Sequence, residues 1–395
     1  MESAPNNSMI NNPWGIIVVL TSLEAAVLSL AGHARFKRYF KFLPSVFWIY
    51  FLPMLASTSG LINHQHAVYG LITKNILPAS LFLLLLGVDV KAIWGLGPKA
   101  LTMMLAGSGG IMIGTVTVFA LFKDMIGINM WTGFGALSAS WMGGSANMVA
   151  VKEALLTPDE VFFPMVIVDT IVPYFWMGML VSAVSLQPLF DKFTGADRKI
   201  LDELNQGAAK NSAGSNKQFS FKMTGIILLI AFAGGFASIF VARHLPEIKD
   251  VISQYAWAII LASMLGLTLS FTPARKLVSC HSNSIGYVLL YFVLTSIGAK
   301  ASLSSINTSL VLIGAGFLIV IVHAAFLVMV ARLIRAPMFL VAVASQANIG
   351  GVASAPIVAE VYQPGLASVG ILMAVFGGIL GTFLGIFTGH LCHWF

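Results

Sequence analysis

Twelve apolar stretches follow one another along the chain, at 14–31, 44–60, 69–88, 100–122, 131–155, 162–187, 221–243, 253–271, 284–299, 309–331, 338–361 and 366–391. A helix needs about 20 apolar residues to cross a bilayer, so each stretch reads as a membrane segment. Between the sixth and seventh lies 188–220, the one long polar connection, with a charged piece of helical character (ADRKILDELNQ) and a flexible Ser/Asn/Gly tract (KNSAGSN). It divides the pattern into two sets of six.

Two stretches break their own pattern. Ser138 to Glu153 reads SASWMGGSANMVAVKE, and Ser345 to Glu360 reads SQANIGGVASAPIVAE. Shifted by 207 positions, Ser138, Gly143, Gly144, Ala146, Val151 and Glu153 fall on Ser345, Gly350, Gly351, Ala353, Val358 and Glu360. The same shift carries Trp14 to Phe221, and Gly107, Gly109 and Phe119 to Gly314, Gly316 and Phe326. Lys91-Ala92 meets Lys300-Ala301 once two extra residues are allowed. The chain therefore reads as a duplication with one interrupted segment per half. For a lone Gly pair the plain explanation is a small-residue seam between packed helices. The duplication, the Asn/Gln/Ser cluster and the charge pattern favour helical hairpins instead.

Composition fixes the solvent. Of 395 residues 58% are hydrophobic and 9% charged, with mean hydropathy +0.89, against about 25% charge in soluble domains. The expectation is an all-α polytopic membrane protein. Its net charge of +7 then reports loop topology rather than a nucleic-acid footprint. Two cysteines, Cys280 and Cys392, provide neither a disulfide framework nor a metal cluster. The polar start MESAPNNSMINNP lacks a basic segment, so no cleaved signal peptide is expected.

Lys and Arg concentrate in cytoplasmic loops. If all twelve stretches cross, these residues divide ten to eleven, which is no bias. If 131–155 dips in and returns, sixteen fall inside, including Arg35, Lys37, Arg38, Lys41, Lys91, Lys99, Arg275, Lys276, Arg332 and Arg335. Five fall outside: Lys123, Lys152, Arg243, Lys249 and Lys300. The repeat extends re-entry to 338–361, giving ten crossings, five per half plus one hairpin, and both termini outside. An odd number per half inverts the two repeats.

Hairpin arms of roughly 11 residues are about 16 Å long, reaching mid-bilayer. Backbone exposed there must line a wet cavity or be buried in protein. Gly143, Gly144, Ser145 and Asn147 at the first tip, with Gln346, Asn348, Gly350, Gly351 and Ser354 at the second, are the candidate solute contacts. Glycines admit close approach, and the helix N-terminus after each tip favours anionic groups. Asp169 in VIVDTIVPYF, four residues before Pro173, is the leading candidate cation or proton ligand, since an intramembrane carboxylate is functional by default. Glu24 is the second candidate, against a scaffold hydrogen bond. Lys74 is expected to snorkel. His323 reads as a satisfied packing histidine. His64, His66, His390 and His393 lie at loops or ends, and no metal site is expected. Two other classes compete: an ion channel, and a serine hydrolase pairing Ser145 or Ser108 with His323.

The stretch SASWMGGSANMVAVKEAL together with ASQANIGGVASAPIVAEVY resembles the YjcL-like family of bacterial and plastid membrane proteins over the whole chain. The paired Gly-rich hairpins more distantly resemble glutamate:sodium and 2-hydroxycarboxylate symporters, whose own tip sequences differ from GGSAN and NIGGVAS. That resemblance implies an elevator-type arrangement. Repeat 1 (14–187) would supply scaffold 14–88 and core 100–187 with hairpin 131–155. After the cytoplasmic linker 188–220, repeat 2 (221–391) would supply scaffold 221–299 and core 309–391 with hairpin 338–361. The scaffold would pair with a second copy, and Gly107, Gly109, Gly314 and Gly316 would pack closely in the core. The expectation is a lipid-embedded inner-membrane secondary transporter, without enzymatic activity or bound cofactor. It would move a small polar solute, an anion being one option, coupled to Na⁺ or H⁺.

Overall fold

The computed structural model describes residues 8–36, 39–40, 45–196, 221–248, 253–275, 282–300 and 309–395. Lys37, Arg38, Lys41, Lys249, Lys276, Cys280, Ala301 and the linker beyond residue 196 lie outside them. The first half forms α1 (Pro13–Gly32), α2 (Ser45–Thr58), α3 (Val68–Leu86), the short α4 (Val90–Trp94), α5 (Gly97–Ile126), α6 (Trp131–Gly143), α7 (Ser145–Ala154), α8 (Asp159–Ser182) and α9 (Gln187–Thr194). The second forms α10 (Phe221–Ala242), α11 (Gln254–Ser270), α12 (Ser282–Lys300), α13 (Ser309–Ile334), α14 (Met338–Ile349), α15 (Gly351–Tyr362) and α16 (Ala367–His393). The two stretches singled out by their glycines are thus the ones that split, into α6/α7 and α14/α15.

Among the described residues, seven helices, in α1, α3, α5, α8 running into α9, α10, α13 and α16, are long and apolar enough to cross a membrane. Others are shorter. With 14 residues, α2 spans about 21 Å against a hydrocarbon core of about 30 Å, and it carries Pro53 internally.

Helix packing sorts most of the helices into two groups. In one, α3 lies against α10, α11 and α12, while α1 and α2 complete the set against α12. The contacts are backbone-close: a side chain at Gly266 would strike Phe82 O, and one at Gly298 would strike Tyr50 O. In the other group α5 packs on α13, and the two split pairs pack with α8 and α16. The groups touch where α11 meets α7 and α16, and where α2 meets α8.

Helices α5 and α13, equivalent under the sequence shift, run antiparallel. Lys99 near the start of α5 donates to Arg335 O past the end of α13 at 3.5 Å, and Gly114 further along packs on Ile319. Only part of the expected glycine packing holds. Gly107 and Gly316 are tightly covered, but Gly314 meets nothing within 4 Å and Gly109 makes only ordinary contact with Phe326. Gly110 and Gly114 take the close positions instead, against His323 and Ile319. The α5–α13 crossing angle sets which glycines face the partner, and the linear repeat does not encode it.

The polar connection begins as a helix. In α9, Leu186 just before it, Leu189 and Phe193 are exposed, while Asp191 turns inward and its Oδ1 accepts from Met338 N at 2.8 Å. That bond supplies one orphan donor at the start of α14 with a partner, so the connection is tied to the second split pair.

Candidate functional site

The α6/α7 pair is a helical hairpin, and α16 shows its geometry. Gly377, Gly381, Gly385 and Gly389 form one stripe at four-residue spacing. Gly389 packs against Gly135 and Leu155, Gly385 against Ala139 and Val151, Gly381 against Gly143 and Asn147, and Gly377 against Met142 O. Gly389, Gly385 and Gly381 thus touch both arms, from the open base to the tip, and Gly377 meets the first arm alone. At the tip Gly144 adopts φ 90° and ψ 176°, which an L side chain resists. One side-chain brace reinforces it: Asn147 Nδ2 donates to Gly143 O at 2.7 Å, and Thr382 Oγ1 donates to Asn147 Oδ1 at 2.6 Å.

The second hairpin, α14/α15, turns through Gly350 and Gly351, the latter at φ 60°. Polar side chains fix it. Asn348 Nδ2 donates to Ala344 O at 2.9 Å and reaches Met104 O and Sδ, while its Oδ1 accepts from Ser108 Oγ at 2.9 Å. Ser345 Oγ accepts from Trp176 Nε1 at 2.8 Å and stands 2.9 Å from His323 Nε2, whose Nδ1 is 2.8 Å from Gly107 O. A carbonyl can only accept, so Nδ1 carries the proton and Nε2 accepts from the serine. Gln346 Nε2 bridges to Ser354 Oγ at 2.6 Å across the turn.

Two long helices relate the hairpins. Val161 and Met165 of α8 cover Gly133 near the base of the first, whereas Tyr362 at the base of the second donates to Leu180 O at 2.7 Å. In α16 the order is reversed: Gly370 packs on Ala355 and Gly389 on Gly135. The bases therefore lie at opposite ends of α8 and α16, and the tips approach each other midway. Met104 marks the meeting point, its sulfur beside Asn348 and its methyl 2.6 Å from where a Gly377 side chain would begin.

Asp169 occupies the middle of α8, beside Ser140 and Trp141 of the first hairpin. Pro173 has no N–H for the Asp169 carbonyl, so the same turn offers a carboxylate and a freed backbone oxygen. Pro173 O itself faces Gln346 Nε2 at 3.4 Å. One buried polar atom has no protein partner here, Gln346 Oε1 on the second hairpin; the Trp141 side chain of the first interacts with Asp169. At both tips the following helix starts without a side-chain cap, and residues 143–146 and 350–353 are accessible in part.

The nine anticipated solute contacts lie at the two hairpin turns, and Asp169 lies in the middle of α8 beside the first, but the turn residues differ in role. Asn147, Asn348 and Ser354 spend their side chains bracing the turns. Ser145 stands half-buried at the first tip, Gln346 Oε1 is buried without a partner, and Asp169 lies beside Ser140 and Trp141. Glu24 does not join them. It lies in the other helix group, 5% exposed, with Oε1 unpartnered, near Tyr291 of α12. The serine–histidine pairing is corrected: His323 holds Ser345, and Ser108 is bonded to Asn348. Among the described residues no three His, Cys, Asp or Glu side chains come together as a metal site; His390 and His393 lie against the Trp131 ring instead. Sequence reading passed over Thr382, Trp176, Met104 and the α16 stripe. Only the stripe leaves a linear signal, its spacing of four.

A family model described as "Protein of unknown function (DUF819)" matches residues 16–395. The chain belongs to this family. It is also 26% identical over 356 residues to the "Uncharacterized membrane protein YjcL" of Bacillus subtilis (strain 168), covering 87% of each chain. The family match takes in both hairpins and both helix groups. The chain is accordingly a membrane protein with multiple apolar helices.

Proposed function

We propose that this protein is a secondary active transporter in which the two hairpins are re-entrant and their facing tips bind a small polar solute. The observation that carries the reading is the opposed pair of uncapped helix N-termini meeting beside Asp169 and Pro173. Helix N-termini attract anionic groups, while a carboxylate with a freed carbonyl suits Na⁺ or H⁺. A carboxylate at mid-membrane costs about 2.5–3.5 kcal/mol, which Ser140 and Trp141 offset in part and a bound cation or proton would offset further.

The antiparallel run of α5 and α13 supports inverted repeats. The separation into two helix groups supports a hairpin-bearing core that slides against a scaffold. An inner-membrane location is part of this proposal, and the positive-inside count supports a cytoplasmic linker. In proteoliposomes, a panel of amino acids, dicarboxylates and short peptides should reveal saturable uptake that responds to a Na⁺ or H⁺ gradient. Asp169→Asn should lower gradient-driven uptake on the order of tenfold or more, equivalent to at least about 1.4 kcal/mol, while the protein stays folded by size-exclusion chromatography. Cation dependence unchanged in that variant would refute the role of Asp169, and single-channel currents would replace the transporter reading with a channel.

A further inference from the structure

The base of the first hairpin carries an ion cluster that the solute site does not use. Lys152, near the end of α7, has a side chain only 5% exposed. Its Nζ lies 3.0 Å from Glu153 Oε1, 3.1 Å from Asp159 Oδ1 and 5.6 Å from the Phe162 ring centroid. Asp159 opens α8, where the helix dipole favours an acid. Its other oxygen, Oδ2, lies 3.1 Å from Lys300 Nζ at the end of α12. Asp159 is therefore shared by two lysines from different helix groups, Lys152 on the hairpin side and Lys300 on the flanking side.

The surroundings make this a junction rather than a loose surface pair. Tyr50 of α2 stacks on Phe163 of α8, with centroids 5.6 Å apart and planes 9° from parallel. Its carbonyl is covered by Gly298 of α12, two residues before Lys300. Beside the cluster, Tyr255 of α11 donates to Thr73 O of α3 at 2.9 Å. Two positive and two negative groups balance, so the buried Lys152 is compensated. Removing Lys300, 38% exposed, leaves Lys152 with both its acids, which isolates the contact between the groups from the packing within one.

We propose that Asp159 and Lys300, backed by Lys152, form an ionic latch that holds the hairpin-bearing helices against the flanking helices in the conformation seen here. This inference rests on the two-body transport reading. For the groups to slide, Asp159 must leave Lys300 while keeping Lys152, so the latch biases the balance between conformations without touching the solute.

The test uses the full chain in proteoliposomes, with Cys280→Ser, Cys392→Ser and a reporter Val352→Cys at the second tip, where Val352 is 41% exposed. The readout is the labelling rate by a membrane-impermeant maleimide. A partly exposed ion pair is worth about 0.2–1 kcal/mol, or roughly 1.4- to 5-fold in an equilibrium. Lys300→Gln should change the labelling rate by a factor in that range, and Lys300→Arg should keep the parental rate. Labelling that responds to a Na⁺ or H⁺ gradient but is the same with Lys or Gln at 300 overturns the latch alone. So does an Arg variant that behaves like Gln. Labelling that responds to neither a gradient nor Lys300→Gln overturns the two-body reading together with the latch.

Discussion

The two hairpins grow from stretches that match at six positions, yet they are held by different physics. The first is held by shape: α16 presents four glycines so that both arms lie against its backbone, and a single asparagine braces the turn. The second is held by directional bonds: Asn348, Ser345 and Gln346 tie it to α5, α13 and α8 through Ser108, Met104, His323, Trp176 and Pro173. Close packing stores its stability in many weak contacts and fails when volume is added. A polar network stores it in a few bonds and fails when one partner is lost. Two turns of similar sequence can therefore be kept rigid in two ways, and they should respond to different mutations.

The largest effect expected is from adding volume to the first hairpin. Gly385→Leu would drive a side chain into Ala139 and Val151 and should cost about 3 kcal/mol or more, read as loss of folded protein or a collapsed melting temperature in detergent. Gly314→Leu, with nothing within 4 Å, is the matched control and should stay near wild type. Equal damage at both positions would remove the claim that shape holds the first hairpin.

Next is loss of a network partner in the second hairpin. Asn348→Ala removes the buried bonds to Ser108 Oγ, Met104 O and Ala344 O, leaving Ser108 Oγ only its 3.3 Å bond to Met104 O, and should destabilise by about 2–3 kcal/mol. The corresponding Asn147→Ala should cost only about 1 kcal/mol, because the glycine seam remains. Thermal melts that rank these two the other way would invert the comparison. Trp176→Phe, which removes one hydrogen bond to Ser345 and keeps the ring, should cost about 0.5–1.5 kcal/mol. Smallest of all, Ser145→Ala at the open first tip should leave stability within about 0.5 kcal/mol. Its effect should appear in the apparent affinity for solute.

The legibility of this chain divides along the same line. The twelve apolar stretches, the two that split and the turn glycines Gly144 and Gly351 are local properties. Hydrophobic length and the φ > 0 requirement are written residue by residue, and the sequence alone determined them. The internal match did the rest, pairing Ser138 to Glu153 with Ser345 to Glu360 and marking the two stretches that fold as hairpins. What Asn147, Asn348 and Ser354 do was not legible, because an amide in a glycine-rich turn can face a solute or brace its own backbone, and only the neighbouring helices decide which. The same holds for Glu24 and Asp169, two intramembrane carboxylates alike in sequence. The tertiary structure put one by Tyr291 in the flanking group and the other between the hairpins. Composition selected the solvent and periodicity the elements, both short-range in the chain. The partner of each buried polar group was set by packing between helices up to 244 positions apart, and that no linear pattern carries.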